Sequence, residues 1–360
     1  MTGLKVCKFG GSSVADANQM RKVRAIVESD PQRRWIVVSA PGKRSASDTK
    51  ITDLLYLCHE HSRQGLPFDD VFAIVADRYR EIVRSLGLAL DLDPELAHAR
   101  AAIAAGAGAD YAASRGEYLS GLVAAALLDA EFVDAAEIVC FDAHGRLQIA
   151  QTDERVAARL TAARRFVVPG FYGAMPDGAI KTFSRGGSDI TGAIVARGVR
   201  AAVYENWTDV SGVLMTDPKI VPEARPIRML TYRELRELAY MGAGVFHDEA
   251  MFPVLDAGIP VHVRNTNAPR EEGTLIVKEV PDVPNHPGIV TGIAGRKGFT
   301  VITIEKNLMN SEIGFARRLL SALERQQVSV EHMPTGIDTI SLVVESAQLD
   351  GKLDPILDEI

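Results

Sequence analysis

Leu4-Lys5-Val6-Cys7-Lys8-Phe9-Gly10-Gly11-Ser12-Ser13 opens the chain with an apolar run that stops on two glycines and two hydroxyls. A run of this composition ending in glycine predicts a strand over 4–9. Met20, Val23 and Ile26/Val27 recur at helical spacing and predict a helix over 16–28 directly after it. Two glycines between a strand and a helix let the backbone approach a ligand closely. Their N–H groups, with the helix start, form a concavity suited to anions. Lys8 adds a compact positive charge there, and Ser12 and Ser13 add hydroxyl donors. A plain turn beside a surface lysine is the alternative reading, and the spacing is not the GxxxxGK[ST] of a P-loop.

Outward from this stretch the pattern repeats. Strands are predicted at 35–39, 137–141, 166–169, 201–205 and 261–264, each rich in Val, Ile or aromatic residues. Helices are predicted at 52–61, 69–86, 94–105, 110–128, 190–197 and 232–241. Such alternation implies an α/β fold of αβα layers with a largely parallel sheet. The Pro-rich stretch 281–288 reads as a linker. The order beyond it is strand 300–305, helix 313–325, strand 328–333, strand 339–345 and helix 349–358, most of a ferredoxin-like β-α-β-β-α-β unit. The expected organisation is a first domain over 1–280, a linker over 281–288 and a second domain over 289–360. The last strand of the second unit is missing, so either the native chain continues or another segment fills the gap.

With 360 residues, two domains are the prior expectation. A formal charge of -7 argues against a general nucleic-acid binder or a membrane-surface protein. No apolar run is long enough to cross a membrane, and the N-terminus lacks a secretory core. Cys7, Cys58 and Cys140 suggest neither a disulfide framework nor a metal site, and a reducing cytoplasm is the default setting. His59 and His61, two apart, do not share a helix face.

Four further motifs carry chemistry. Ser184-Arg185-Gly186-Gly187-Ser188-Asp189 places a guanidinium, a Gly-Gly turn and a carboxylate ahead of a helix. Arg185 suits bidentate binding of a carboxylate; Asp189 suits an ammonium, or a helix cap. Trp207-Thr208-Asp209-Val210-Ser211-Gly212-Val213, followed by Thr216-Asp217-Pro218-Lys219, reads as a strand end where a nucleotide tends to sit, or as two Asx-type turns. Ser114-Arg115-Gly116-Glu117 and Thr52-Asp53 read alone as helix surface or caps.

Together, and in this order, these motifs resemble the aspartate kinase family: KFGGSS at 8–13, VVSA at 37–40, SRGE at 114–117, FSRGGSD at 183–189, WTDVSGVLMTDPK at 207–219 and GIPVHVRNTNAPREEGTLI at 258–276. The resemblance covers nearly the whole chain and implies the amino-acid kinase fold followed by ACT-type regulatory domains. It implies ATP-dependent phosphorylation of the side chain of L-aspartate, the first step of aspartate-family amino-acid biosynthesis. By position, Lys8, Gly10, Gly11 and Ser12 would hold the transferred phosphate. Ser39, Thr52, Glu117, Arg185, Ser188 and Asp189 would surround aspartate, with Arg185 on its α-carboxylate and Glu117 on its ammonium. Lys8 and Asp189 would be the catalytic pair, and Thr208, Asp209 and Lys219 would lie along ATP. Mg²⁺ would come with the nucleotide, with no dedicated protein site expected. A homodimer is also implied.

In the tail, the resemblance implies an effector, lysine or threonine, bound near Met309, Ser311, Gly314 and Phe315, with Val330 and Glu331 on the next strand. The same residues suit plain packing of the domain. Two departures stand out: Gly244 where the family often has lysine, and Asp248 where it often has proline. The alternatives are a sister kinase of the same fold and a non-catalytic amino-acid sensor. A dinucleotide-binding dehydrogenase is disfavoured by the lack of GxGxxG after a strand.

Overall fold

The computed structural model describes residues 3–184, 186–240, 251–280 and 290–360. It divides into two compact units at Ala294/Gly295. The first unit starts with β1 (Lys5–Phe9), α1 (Ala17–Glu28), β2 (Arg33–Val38), α2 (Ile51–Arg63), α3 (Asp69–Leu86), α4 (Asp93–Ala104) and α5 (Ala109–Leu128). It continues with β3 (Glu131–Phe132), α6 (Ala135–Ile138), α7 (Ile149–Arg159), β4 (Phe166–Pro169), β5 (Tyr172–Ala174), β6 (Ile180–Thr182), α8 (Gly187–Gly198) and β7 (Val203–Thr208). It closes with β8 (Met229–Thr231), α9 (Tyr232–Tyr240), α10 (Phe252–Asp256), β9 (Val261–Asn265) and β10 (Thr274–Val277).

The main sheet has the order β3-β4-β2-β1-β7-β9-β10-β8. The strands from β3 to β9 in this order run parallel, and β10 is antiparallel to β9. Strand alternation divides the core in two. Cys7, Phe9, Ile36, Val38, Val167 and Trp207 pack against α1 to α5. Val6, Trp35, Val37, Phe166, Val168 and Tyr204 pack against α6 to α10. The result is the αβα sandwich that the strand–helix alternation required. No helix among the described residues is long and apolar enough to cross a membrane.

One interior cluster is ionic. Glu205 on β7 is 1% exposed. It accepts from Arg33 Nε at 2.7 Å and Trp207 Nε1 at 2.9 Å, and Cys7 Sγ lies at 3.3 Å. Lys5 and Arg264 lie at 3.6 and 3.9 Å, and the Arg264 guanidinium sits 4.6 Å above the Trp207 ring. Burial alone would raise the Glu205 carboxyl; the Arg33 bond and charge outweigh it and hold the group below its ordinary value.

The predicted strand at 137–141 is instead helix α6, followed by isolated bridges at Cys140 and Phe141. Asp134 caps that helix by accepting from Ala136 N at 3.0 Å, and Ala135 and Ala136 favour helix. In the second unit, β11 (Phe299–Glu305) pairs antiparallel with β12 (Thr339–Glu345), flanked by α11 (Phe315–Arg325) and α12 (Leu353–Glu359). The predicted strand 328–333 joins them only through the bridge His332–Val343, after a left-handed residue, Gln327 at φ 54°, that ends α11. Helix α11 begins later than predicted, after Gly314 at φ 78°. The 281–288 stretch, Met241, Gly244 and Asp248 lie outside the described residues.

Removing the carboxylate by Glu205→Ala leaves Arg33 buried without its partner. The expected loss is about 3–5 kcal/mol of unfolding free energy, read as a lower urea midpoint; an unchanged midpoint would contradict this role.

Candidate active site

The carboxyl ends of β4, β2, β1, β7 and β9 lie side by side at one edge of the sheet. The chain order reverses at β1, with β2 on one side and β7 on the other. In open α/β sheets ligands bind at such a switch point. The strand ends are tied together by backbone bonds: Gly170 N to Val38 O at 2.9 Å, Ser39 N to Phe9 O at 3.1 Å, Gly10 N to Trp207 O at 3.0 Å and Thr266 N to Thr208 O at 2.8 Å. The loop after β1 then touches the loop after β2, where Gly42 N donates to Gly11 O at 2.9 Å. A Cβ on Gly11 would lie 3.0 Å from Ala40 O, so only glycine allows this contact without displacement.

Lys8 lies on the α8 side of β1 by strand alternation and is 7% exposed. Its Nζ meets Asp189 Oδ1 at 2.6 Å. Asp189 sits in the first turn of α8, where the helix dipole favours an acid. Asn206 Nδ2 donates to the same Oδ1 at 2.8 Å, and Tyr204 OH donates to the Asp189 carbonyl at 3.1 Å. Ser13 Oγ lies 2.7 Å from Thr266 Oγ1. Ser12 is half-buried in the 3₁₀ turn Gly11–Val14.

Glu117 projects from α5 beneath the end of β2. It is buried, and its Oε2 has no hydrogen-bond partner among the described residues. Burial pushes its carboxyl up to about 8, against the opposing effects of a bond from the Ala40 N–H and the Arg115 charge. Arg115 itself is buried against tyrosine rings, 4.4 Å from Tyr118, 4.6 Å from Tyr111 and 5.6 Å from Tyr172. Its Nε and Nη2 reach Ser114 Oγ at 3.2 and 3.0 Å. A delocalised cation held by aromatic faces is stable without a carboxylate beside it.

The strand-end edge therefore brings together Lys8, Gly10, Gly11, Ser12, Ser39, Ser188, Asp189 and Thr208, with Glu117 joined through Ala40. Ser188 is buried against Gly170, where an added Cβ would lie 2.6 Å from Ser188 Oγ. Thr52 is in the first turn of α2, and Ile51 N is bound by Pro41 O at 3.2 Å. Asp209 is exposed and accepts from Thr208 Oγ1 at 3.2 Å. Lys219 is exposed; Asp217 Oδ1 holds its backbone N–H at 2.8 Å, and no carboxylate of the described residues pairs with its ammonium. Arg185 lies outside the described residues.

In the second unit, Met309 and Ser311 form a 3₁₀ turn, Gly314 precedes α11, and Phe315 is buried with Lys306 Nζ 5.0 Å from its ring. Val330 packs against that unit's core, and Glu331 N donates to Val343 O at 2.9 Å.

The motifs did not mark Asn206, Tyr204, Gly42 or Gly170. Asn206 alone had a usable signal: it is a buried polar residue within a strand whose predicted end stopped at 205.

A Lys-Asp pair beside a glycine turn, at the switch point of an open α/β sheet, marks a place where a charged ligand binds. Residues 3–265 match the amino acid kinase family. Aspartokinase 3 of Bacillus subtilis is 40% identical over 96% of this chain and 79% of its own length. The lysine-sensitive aspartokinase 3 of Escherichia coli is 30% identical over 99% of this chain and 82% of its own length. The crystal structure of aspartate kinase from Clostridium acetobutylicum superposes with a TM-score of 0.91 and 52% identity, covering 99% of this chain and 82% of that one. The chain belongs to the amino acid kinase family and, within it, to the aspartokinases.

Glu117 sets a pH dependence. With its folded value at about 8 against an ordinary 4.5, the folded state holds more protons than the unfolded one between these values. Stability contributed by this group is therefore present at low pH and lost as pH rises towards about 8. Urea midpoints of wild type relative to Glu117→Gln are expected to fall between about pH 5 and about pH 8; a constant difference would contradict the assignment.

Proposed function

We propose that this enzyme transfers the γ-phosphoryl group of ATP to the side-chain carboxylate of L-aspartate, giving 4-phospho-L-aspartate and ADP at the entry to aspartate-family amino-acid biosynthesis. The observation that carries this reading is the buried Glu117 carboxylate with an open oxygen, on the same strand-end edge as the buried Lys8. An ammonium-bearing substrate satisfies Glu117 and draws it into its ionised form. Arg185 takes the α-carboxylate, and Ser39, Thr52 and Ser188 offer hydroxyls around the rest of the amino acid.

The acceptor carboxylate has an ordinary pKa near ~3.9, so it is ionised at neutral pH and needs no general base. The chain's task is alignment and charge neutralisation. Lys8 exchanges Asp189 for a phosphate oxygen, while the Gly10–Gly11 turn and Ser12 offer N–H and hydroxyl donors. Thr208, Asp209 and Lys219 line the nucleotide. Asp189 or Asp209 would hold an Mg²⁺ brought with the phosphates. Bound there, it would neutralise the transferring phosphoryl group.

The second unit is proposed as an ACT-type sensor. Lysine, or failing that threonine, binds around Met309, Ser311, Gly314, Phe315, Val330 and Glu331, and inhibits by favouring one of two conformations. The E. coli aspartokinase III solved with lysine and aspartate in its T-state, 27% identical with a TM-score of 0.74, supports this reading. Pairing of two chains as a homodimer belongs to the same proposal.

The decisive assay is ATP turnover with L-aspartate and Mg²⁺, trapping the acyl phosphate as hydroxamate. Wild type should give aspartate-dependent product. Lys8→Ala should lower kcat about 10²–10³-fold, as removal of one transition-state donor does, with the fold retained by circular dichroism. Folded wild type that binds ATP without phosphorylating aspartate would move the reading to a sister kinase. Lysine should inhibit wild type, and Glu331→Gln should weaken that inhibition; indifference to both lysine and threonine would overturn the sensor proposal.

A further inference from the structure

Phe183, just after β6, and Gly187, the first residue of α8, are both tied to one residue from another part of the chain. Phe183 N donates to Phe171 O at 3.0 Å. Phe171 N donates to Thr191 Oγ1 at 3.0 Å, and that hydroxyl donates onward to Gly187 O at 2.9 Å. Thr191 is 0% exposed, so its hydroxyl has no water to fall back on. A threonine bonding the carbonyl four residues back is common in helices. What is not common is a second bond, received from a residue outside the helix.

That residue is itself unusual. Phe171 has φ 79°, in the left-handed region that a bulky aromatic rarely enters. Its backbone and ring lie directly against Gly187, where any Cβ would collide with both. Strained conformations persist only where the surroundings over-determine them, and they concentrate at functional sites. Here the surroundings are the first turn of α8, which carries Ser188 and Asp189.

We propose that Phe171 and Thr191 are positioning residues. Together they tie down Phe183 and Gly187 and fix the entry of α8, and so hold Ser188 and Asp189 opposite Lys8. The proposal rests on the reading of this turn as the aspartate side of the site. Neither residue touches the reacting groups; they act through the geometry of those that do.

Thr191→Val keeps the shape of the side chain and removes both hydrogen bonds, while Thr191→Ser keeps the hydroxyl. In Thr191→Val the KM for aspartate should rise about tenfold or more, with the KM for ATP within about twofold, as expected when one substrate's ligands are displaced. Thr191→Ser should restore the wild-type value. Amide hydrogen exchange of free Thr191→Val, without aspartate or ATP, should accelerate at 183–189 and not in β1, β2 or β7. Phe171→Ala, which removes the ring from Gly187, should shift the same two readouts in the same direction. The clamp is overturned if Thr191→Val exchanges like wild type at 183–189, if Thr191→Ser is impaired as much as Thr191→Val, or if both KM values rise together. Should wild type fail to phosphorylate aspartate, the functional reading falls, and the exchange experiment on the free protein still decides the clamp.

Discussion

A buried carboxylate fixes the frame on which the site is built. Glu205 lies within a sheet face otherwise covered by α1 to α5, and it is tolerable there only because Arg33, Trp207, Lys5 and Arg264 surround it. Those partners come from β2, β7, β1 and β9, four neighbouring strands in the sheet. A slip of any one by a single residue would turn its side chains to the other face and strand the charge. The strand ends that carry the site therefore inherit their alignment from an interaction that takes no part in the chemistry.

Alternation along β1 does the rest. Cys7 and Phe9 point to one layer, and Val6 and Lys8 to the other. Lys8 thus meets α8, while α5 brings Glu117 from the opposite side of the sheet. On the proposed reading, an amino-acid substrate is addressed from both layers, with the glycine turn between them. Because the acceptor is already an anion, this frame needs to supply position and positive charge and no proton relay.

The fold was legible in the sequence because the main strands are continuous apolar runs and the helices have clear stripes. Lys8, the glycine turn and Asp189 were singled out because glycine pairs sit next to charge between strand and helix, and it was the order of the motifs along the chain that favoured a site over a plain turn. The misreadings have local causes. At 137–141 the apolar residues suggested a strand, but Asp134 and two alanines start a helix first. At 328–333 the apolar residues suggested a strand, but pairing with β12 is limited to the bridge at His332. Asn206 escaped notice because its role depends on a partner 17 residues away; Arg115 was noted within its motif, but the rings around it are brought together only by folding. The strain at Phe171 has no sequence signature: nothing in Gly-Phe-Tyr announces a left-handed aromatic.

The contact between Lys8 and Asp189 has a thermodynamic consequence. On the proposed reading, an incoming phosphate meets a lysine that already has an internal counter-ion and not a bare charge. Capture becomes a swap, in which the attraction gained is measured against the attraction given up. The net grip on the phosphate is moderated accordingly, and the displaced carboxylate is ready to reclaim the lysine once the phosphoryl group has moved on. A site arranged in this way favours release as well as capture, which suits a catalyst that must let go of two anionic products in every cycle.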